Sequence, residues 1–388
     1  MKVAIIGAGP AGAHLAYELR VRGAEVDLYD AREAWEKPCG GGVTSKALAD
    51  FPFLTTPDVA RKLVRSVRLI SAAGRELTVP PRSDFAIFSR RELGQFLRVR
   101  AVTAGVRMRV DRVEKTARES GKWIIESASG LRNEVDLLVG ADGASSVIRR
   151  RVGIRFGPED FSYGLGWHLY RADNGKSAEL SGQVDIRYLE KLGGYLWLFP
   201  RVDHHSYGIA CGYREASPQE MKERLLAHID SQDPLAARMI RAQAPGSHFY
   251  AAMIPSLGVT KWDRLRASRP LEGWALVGDA AGFVDPLTGE GIYYALLSAG
   301  LLARSIAGCF DHYEEMWRDS FGGELRRAAE LSERFYGGNY AGASMAERMV
   351  QLAAHHRGVR ETLRDLISGD QGYIGLKRRL LSDAWRLF

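Results

Sequence analysis

The feature that most constrains this chain is its opening: an apolar run, Val3-Ala4-Ile5-Ile6, followed at once by Gly7-Ala8-Gly9-Pro10-Ala11-Gly12. The run is too short for a helix and reads as a buried strand. From Pro10 to Arg22 apolar residues recur at Ala11, Leu15 and Leu19, one face of a helix, and Gly23 ends it. Glu25-Val26-Asp27-Leu28-Tyr29-Asp30 then alternates as a second strand. Two strands joined through a helix lie parallel, which commits the chain to an α/β fold. The glycines sit where a dinucleotide needs them. Gly7 permits the tight turn, Gly9 lets backbone approach a pyrophosphate, Gly12 allows close helix–strand packing, and the helix N-terminus supplies partial positive charge. Asp30, at the end of the second strand, suits an adenosine ribose. A tight turn without ligand is the bland alternative; strand, helix and acid in register favour the dinucleotide.

Two later segments repeat the theme of an acid on a turn after a buried strand. Leu137-Leu138-Val139-Gly140 leads into Ala141-Asp142-Gly143-Ala144-Ser145-Ser146. Trp274 to Val277 leads into Gly278-Asp279-Ala280-Ala281-Gly282, then through Pro286 to Gly289-Glu290-Gly291 and a long apolar helix expected to be buried against the sheet. Such an Asp can bind a ribityl hydroxyl, and the following helix N-terminus can stabilise negative charge on a reduced flavin. The expected architecture is α/β. A Rossmann-like FAD-binding domain takes residues 1–155 and 265–310, a substrate-binding β-sheet domain is inserted at 156–264, and a helical region spans 311–388. Strand-rich parts of 60–90 are expected to join the substrate domain, and 33–58 reads as a Gly/Pro-rich loop.

Composition excludes more than it establishes. At 388 residues, 46% hydrophobic and 26% charged, the chain belongs to ordinary globular proteins. Three cysteines, Cys39, Cys211 and Cys309, are too few and scattered for a disulfide framework, and a cytoplasmic setting fits. Glycines break any signal-like apolar stretch at the start, and the uncharged run Gly291 to Ala303 is about half of what a bilayer requires. The net charge of +7 is partly local: fifteen Lys/Arg stand against five Asp/Glu between Arg61 and Arg118. That stretch suits either an anionic partner or a solvated face; nucleic acid is not expected as a partner. His204-His205 and His355-His356 lack further ligands at metal spacing, and adjacent strand residues point to opposite faces. They read as loop or surface histidines, with no metal. The tail's Lys377-Arg378-Arg379 beside Leu376, Leu380 and Leu381 suits either a solvated helix or peripheral contact with an anionic membrane.

The three acid-bearing pieces, with Arg90 or Arg91 opening the intervening helix, resemble the FAD pattern of the flavoprotein monooxygenase superfamily over residues 1 to about 305. Within it, three further features resemble the geranylgeranyl reductase family. They are the loop Lys37-Pro38-Cys39-Gly40-Gly41-Gly42, the YxWxFP signature read as Tyr195-Leu196-Trp197-Leu198-Phe199-Pro200, and Gly289-Glu290-Gly291-Ile292. Two positions depart from the pattern: a downstream GxG reads Gly208-Ile209-Ala210, and an Asp-Arg pair reads Ser89-Arg90. The resemblance implies FAD contacts from Gly7, Gly9, Ala11, Gly12, Asp30 and Arg32. It adds Cys39, Gly40, Gly42, Arg90 and Val113 from the middle segments, and Asp142, Gly278, Asp279, Gly289, Gly291 and Ile292 from the two later motifs. The candidate catalytic residues are Cys39, which the resemblance places against the flavin in a positioning role, Tyr195, a proton donor by its chemistry alone, and Trp197, with a prenyl chain held by Tyr195, Trp197 and Phe199.

Those three aromatics alternate along a strand and share one face, which can line an apolar tunnel or simply pack into a core. The reaction implied is reduction of carbon–carbon double bonds in a geranylgeranyl-type substrate by hydride from reduced flavin. With no second GxGxxG, the electron donor is external, NAD(P)H or a ferredoxin. The alternative is an oxygen-dependent monooxygenase or halogenase on the same fold, whose WxWxIP motif the Tyr195 to Pro200 segment approaches without satisfying. A non-catalytic flavin- or lipid-binding protein is a third reading, against which the Cys39 loop and the aromatic signature both speak.

Overall fold

The run Val3-Ala4-Ile5-Ile6 is buried and lies within the strand Lys2–Ile6, parallel to Glu25–Asp30 on one side and to Leu137–Gly140 on the other. A parallel strand covered on both faces reads as uninterrupted apolar sequence, as this one does. Pro10 opens the helix Pro10–Val21, where it has no backbone donor to forfeit, and Gly23 at φ 88° reverses the chain. The six-stranded sheet continues through Trp274–Leu276 to an antiparallel edge at Ser268–Arg269, and on its other side to Arg107–Val110. Helices Arg90–Thr103 and Ile292–Ala307 both pack along Pro10–Val21.

A computed structural model of the chain describes residues 1–170, 182–308, 310–337, 339–340 and 343–385; Cys309 lies outside the described residues. It divides into two compact units. The first comprises Met1–Glu36, Arg90–Asp160 and Ile254–Arg326. Besides the parallel sheet it holds a small antiparallel sheet of Val113–Glu119, Lys122–Ser127 and Arg132–Val135. The second comprises Lys37–Ser89, Phe161–Met253 and Arg327–Phe388. Besides shifts at 156–160 and 254–264, which fall in the first unit, these limits differ from the sequence expectation in two larger ways. The whole of 37–89 joins the sheet-rich unit, because Ser66–Ile70 pairs in parallel with Gln183–Tyr188 and Gly42–Val43 pairs with Ala86–Phe88. The C-terminal region is not one body but splits at Arg326.

The second unit is built on a seven-stranded sheet in the order Ser247–Pro255, Phe161–Tyr170, His204–Gly212, Gly194–Pro200, Gln183–Tyr188, Ser66–Ile70 and Glu76–Val79. One face carries Leu165, Leu169, Leu196, Tyr207, Ile209 and Cys211 against Met221, Leu225 and Ile229 of helix Pro218–Gln232 and Ile240 of Pro234–Arg241. Both helices start on a side-chain cap followed by proline: Ser217 Oγ accepts from Glu220 N at 3.1 Å, and Asp233 Oδ1 from Ala236 N at 3.0 Å. A second core gathers Val67, Leu69, Val79 and Val184 with Val350, Ala353 and Leu363 of helices Met345–His355 and Arg357–Ser368.

Candidate functional site

The glycine turn has the geometry its sequence asks for. Gly7 sits at φ 105°, and a Cβ there would come within 2.3 Å of the Ala141 carbonyl oxygen. One on Gly12 would come within 1.8 Å of the Gly7 oxygen. Gly9 is the opposite case: nothing lies within 4 Å of where its Cβ would stand, so open space adjoins the N-terminus of helix Pro10–Val21. No side chain caps that helix, so the backbone N–H groups of its first turn remain for a ligand. Asp30 accepts from Ala8 N at 2.9 Å, from Arg32 N at 3.2 Å and from Arg98 Nη2 at 2.8 Å. Arg98 also donates through Nε to the Ala8 carbonyl and through Nη1 to the Arg32 carbonyl. The buried Arg98 therefore ties the phosphate turn to the ribose acid; sequence reasoning does not single it out. Each carboxylate oxygen has two lone pairs, so Asp30 retains capacity for a ribose hydroxyl.

Asp142 stands on the expected turn and also serves the fold locally. Its Oδ1 accepts from Ser146 Oγ at 2.5 Å and its Oδ2 from Val147 N and Ile148 N at 2.7 and 3.1 Å, so the carboxylate holds the start of the short helix Val147–Arg151. Its backbone, with that of Ala141, walls the Gly7 turn. Arg149, also unanticipated, joins the second motif to the third: Nη2 donates to the Ala144 carbonyl and Nη1 to that of Ala280. Burial lowers this guanidinium to about 10, an effect the Asp142 charge partly opposes, and it remains a cation at neutral pH. In the third motif Gly278 adopts φ 57°, and its N–H donates to Ser298 Oγ on the apolar helix. Gly291 faces Asp279, whose Oδ1 would lie 3.2 Å from a Cβ there. Gly289 at φ 73° and the buried Asp285, which accepts from Leu287 N and Thr288 N, shape the loop leading to Ile292 and the uncapped start of Ile292–Ala307. Val113 begins the small antiparallel sheet, and Arg90 opens its helix with its N–H donating to Glu36 Oε1 at 2.8 Å. The first unit thus presents two uncapped helix starts, an open glycine and placed acids, which fit a dinucleotide.

In the second unit, cross-strand register sets Tyr195 beside Ala210, Trp197 beside Gly208 and Phe199 beside Ser206. Next along the same face come Gly164, Gly166 and His168. Tyr195, Trp197 and Phe199 therefore form an aromatic ridge, with neighbouring ring centroids 5.9 and 6.5 Å apart, over a floor of small residues. The indole of Trp197 leans onto the floor, since a Cβ on Gly208 would come within 2.1 Å of its Cζ2. The Cys39 loop packs on this ridge: a Cβ on Gly40 would come within 2.6 Å of the Phe199 ring, and Gly42 lies close to the same ring. Trp197 is buried, while Tyr195 and Phe199 are half-buried and leave aromatic surface at the face.

One expectation needs correction. His204 is not a loop or surface histidine: it lies buried on strand His204–Gly212, stacked on Tyr170 with ring centroids 4.3 Å apart and its Nδ1 2.7 Å from Asp203 Oδ1. At least six of the fifteen basic residues between Arg61 and Arg118 meet carboxylates. Arg107 and Arg109 hold Asp27, Arg98 holds Asp30, Arg68 pairs with Asp185, and Arg75 and Arg82 pair with Glu347 and Asp365. The tail shows the same habit, Arg379 pairing with Asp365 at 2.6 Å. None of the described helices is long and apolar enough to cross a membrane.

A Rossmann sheet with an open glycine turn, accompanied by a sheet-rich unit bearing an aromatic face, defines a nucleotide-dependent oxidoreductase of the kind flavin enzymes use. Residues 5–60 match a family model described as an NAD(P)-binding Rossmann-like domain, and residues 73–344 match one described as tryptophan halogenase. A geranylgeranyl diphosphate reductase of Rhodobacter capsulatus is 28% identical over 301 residues, covering 75% of this chain and 71% of its own length. Among solved structures, a geranylgeranyl bacteriochlorophyll reductase-like protein from Thermoplasma acidophilum superposes with a TM-score of 0.72 at 18% identity, covering 94% of this chain and 99% of that one. A flavin-dependent brominase follows at 0.69 and 18% identity over the whole of both chains, and these two likenesses establish the fold. The chain belongs to the family that the tryptophan halogenase model describes, and the relatives it resembles in sequence include geranylgeranyl diphosphate reductases.

Proposed function

We propose that this protein is an FAD-dependent reductase that saturates carbon–carbon double bonds in a prenyl chain. The observation that carries the reading is the face of Tyr195, Trp197 and Phe199 above Gly208 and Gly166, with the Cys39 loop packed on its ridge. An isolated alkene has no carbonyl to polarise, so the protein contributes orientation and exclusion of water rather than acid–base activation of a functional group. Aromatic rings over a glycine floor meet that demand, because they grip an aliphatic chain by area and offer it few polar competitors.

The first unit would hold the cofactor through Gly7, Gly9 and the N-terminus of Pro10–Val21 at the pyrophosphate, with Asp30 at the adenosine ribose. Asp279 and the start of Ile292–Ala307 suit the flavin end, where a helix N-terminus favours negative charge. When bound and reduced, FAD supplies hydride to one alkene carbon. The second carbon then needs a proton, for which Tyr195 on the aromatic ridge is the side chain of suitable chemistry. Cys39 is assigned to positioning. The electrons come from an external donor, NAD(P)H or a ferredoxin.

The decisive measurement is anaerobic turnover of a geranylgeranyl substrate by dithionite-reduced holoprotein, read by mass spectrometry. A gain of two hydrogens per reduced bond is expected. Substrate-stimulated oxygen consumption without loss of alkene would instead identify an oxygen-dependent enzyme, the alternative to which the incomplete match to WxWxIP lends little support.

A further inference from the structure

Arg201 is completely buried, an uncommon place for a guanidinium, at the turn after strand Gly194–Pro200. Its Nη2 donates to the carbonyl of Cys39. Ser206, equally buried on the next strand, places Oγ 3.3 Å from that same oxygen. One backbone carbonyl thus collects two side-chain donors. Ser206 Oγ is also 3.4 Å from Trp197 Nε1, which donates to it, and 3.1 Å from Tyr250 Oη, whose hydroxyl donates to the Tyr207 carbonyl at 3.0 Å. The loop is pinned further along. Gly41 sits at φ 81°, its carbonyl accepts from Phe88 N at 2.9 Å, and its own N–H donates to Cys39 Sγ at 3.3 Å. Gly40 lies against Phe199.

We propose that Arg201 and Ser206 are positioning residues: acting together on the Cys39 carbonyl, they fix the Cys39 thiol and the Trp197 indole in one mutual geometry. A charged donor and a neutral one on a single oxygen, in a dry network, make a stiffer anchor than either alone. Releasing that carbonyl frees residues 39–41 to move, and loss of Ser206 also removes the acceptor that orients the indole. The inference rests on the reductase reading only for its kinetic arm.

The test uses holoprotein carrying Arg201→Lys, Ser206→Ala or both. The first readout is the rate at which iodoacetamide alkylates Cys39, followed by peptide mass spectrometry, with Cys211 as internal reference. Cys211 is buried and its thiol is pushed up to about 11 by that burial, so it reacts slowly unless the fold opens. From the worth of a charge-assisted hydrogen bond, Cys39 alkylation should quicken about fivefold or more in each single variant, with Cys211 unchanged. In turnover, kcat should fall about tenfold with KM held within twofold, and the double variant should lose less than the product of the singles, since both residues act through one atom. The proposal is overturned if Cys39 reacts at the native rate in the variants, or if both cysteines accelerate alike, which marks general loosening. If native protein reduces no prenyl substrate yet the alkylation contrast holds, the reductase reading fails and the anchor stands.

Discussion

Arg98 occupies the buried stripe of helix Arg90–Thr103, among Leu93, Leu97 and Ala101, a position where a long cation needs partners. It finds three: the Ala8 carbonyl, the Arg32 carbonyl and Asp30. Removing it leaves the Asp30 carboxylate with two backbone donors and the glycine turn without its tie. Arg98→Ala should weaken FAD binding by about tenfold or more, as loss of a buried charge-assisted contact implies, with Arg98→Lys between it and native. Flavin fluorescence titration reads this directly, and an unaltered affinity in a folded Arg98→Ala protein would remove Arg98 from the site. Gly208 presents a steric case. An alanine there puts Cβ 2.1 Å from the Trp197 ring, so the indole must swing off the floor. Because misplacement of about 1 Å can cost 100-fold in rate, turnover of Gly208→Ala should drop by at least about tenfold while circular dichroism stays native. Retained turnover would show that the Trp197 pose is dispensable.

Among the elements, strand Arg107–Val110 is the sheet's last, and its Arg107 and Arg109 side chains clamp Asp27 on the neighbouring strand. Burial raises the Asp27 carboxyl, but hydrogen bonds from Arg107, Arg109 and Asn133 outweigh that and bring it down to about 2. A folded value below the unfolded one stabilises the protein where the carboxylate is charged in both states. That contribution, about 2 kcal/mol, is intact above roughly pH 4 and fades as pH falls towards 2. Denaturant titrations at pH 6 and pH 3 should show native protein losing more stability on acidification than Asp27→Asn; equal losses would mean the arginine clamp is decorative. The same strand explains what sequence can and cannot disclose. The apolar runs at Val3 to Ile6, Leu137 to Gly140 and Trp274 to Val277 are legible because a parallel sheet needs them apolar on both faces. So is the glycine turn, in which Gly7 and Gly12 answer separate steric demands while Gly9 keeps the helix start open. The Arg residues are not, because an ion pair spanning eighty residues leaves no local periodicity, and a basic run looks alike whether it clamps carboxylates or faces water. The helix Ser45–Asp50, six residues within a stretch that reads as loop, is too short to show a period. His204 escapes a sequence reading because its burial depends on Tyr170 and His168, a strand away in sequence. Asp142 falls on the expected turn, and its carboxylate also serves Ser146 and the helix after it, a local role that only hydrogen-bond geometry discloses.

At the scale of the whole chain, each unit is assembled from three separated segments, and the last of them, from Arg327 onward, returns to the sheet-rich unit after the nucleotide-binding unit is complete. This order lets truncation from the C-terminal end strip one unit of a segment while leaving all three segments of the other. Helices Met345–His355 and Arg357–Ser368 supply Val350, Ala353 and Leu363 to the core around Val67 and Val79. Asp365 is buried and pairs with Arg82 and Arg379, while Glu347 pairs with Arg75 and accepts from Ala73 N at 3.3 Å. A chain ending at residue 340 therefore uncovers one side of the second unit's sheet and strands two arginines without their acids. Losing even three such side chains from a core costs on the order of 5 kcal/mol, a large fraction of what a domain has to spare. The first unit loses none of its own segments. The truncated protein should still bind FAD with near-native affinity while the sheet-rich unit melts earlier, by about 10 °C or more, splitting the thermal transition in two. Differential scanning calorimetry with and without FAD distinguishes the outcomes. If FAD affinity collapses together with the sheet-rich unit, the nucleotide-binding unit does not fold independently, and Asp30, Arg98 and the glycine turn depend on more of the chain than their own hydrogen bonds reveal.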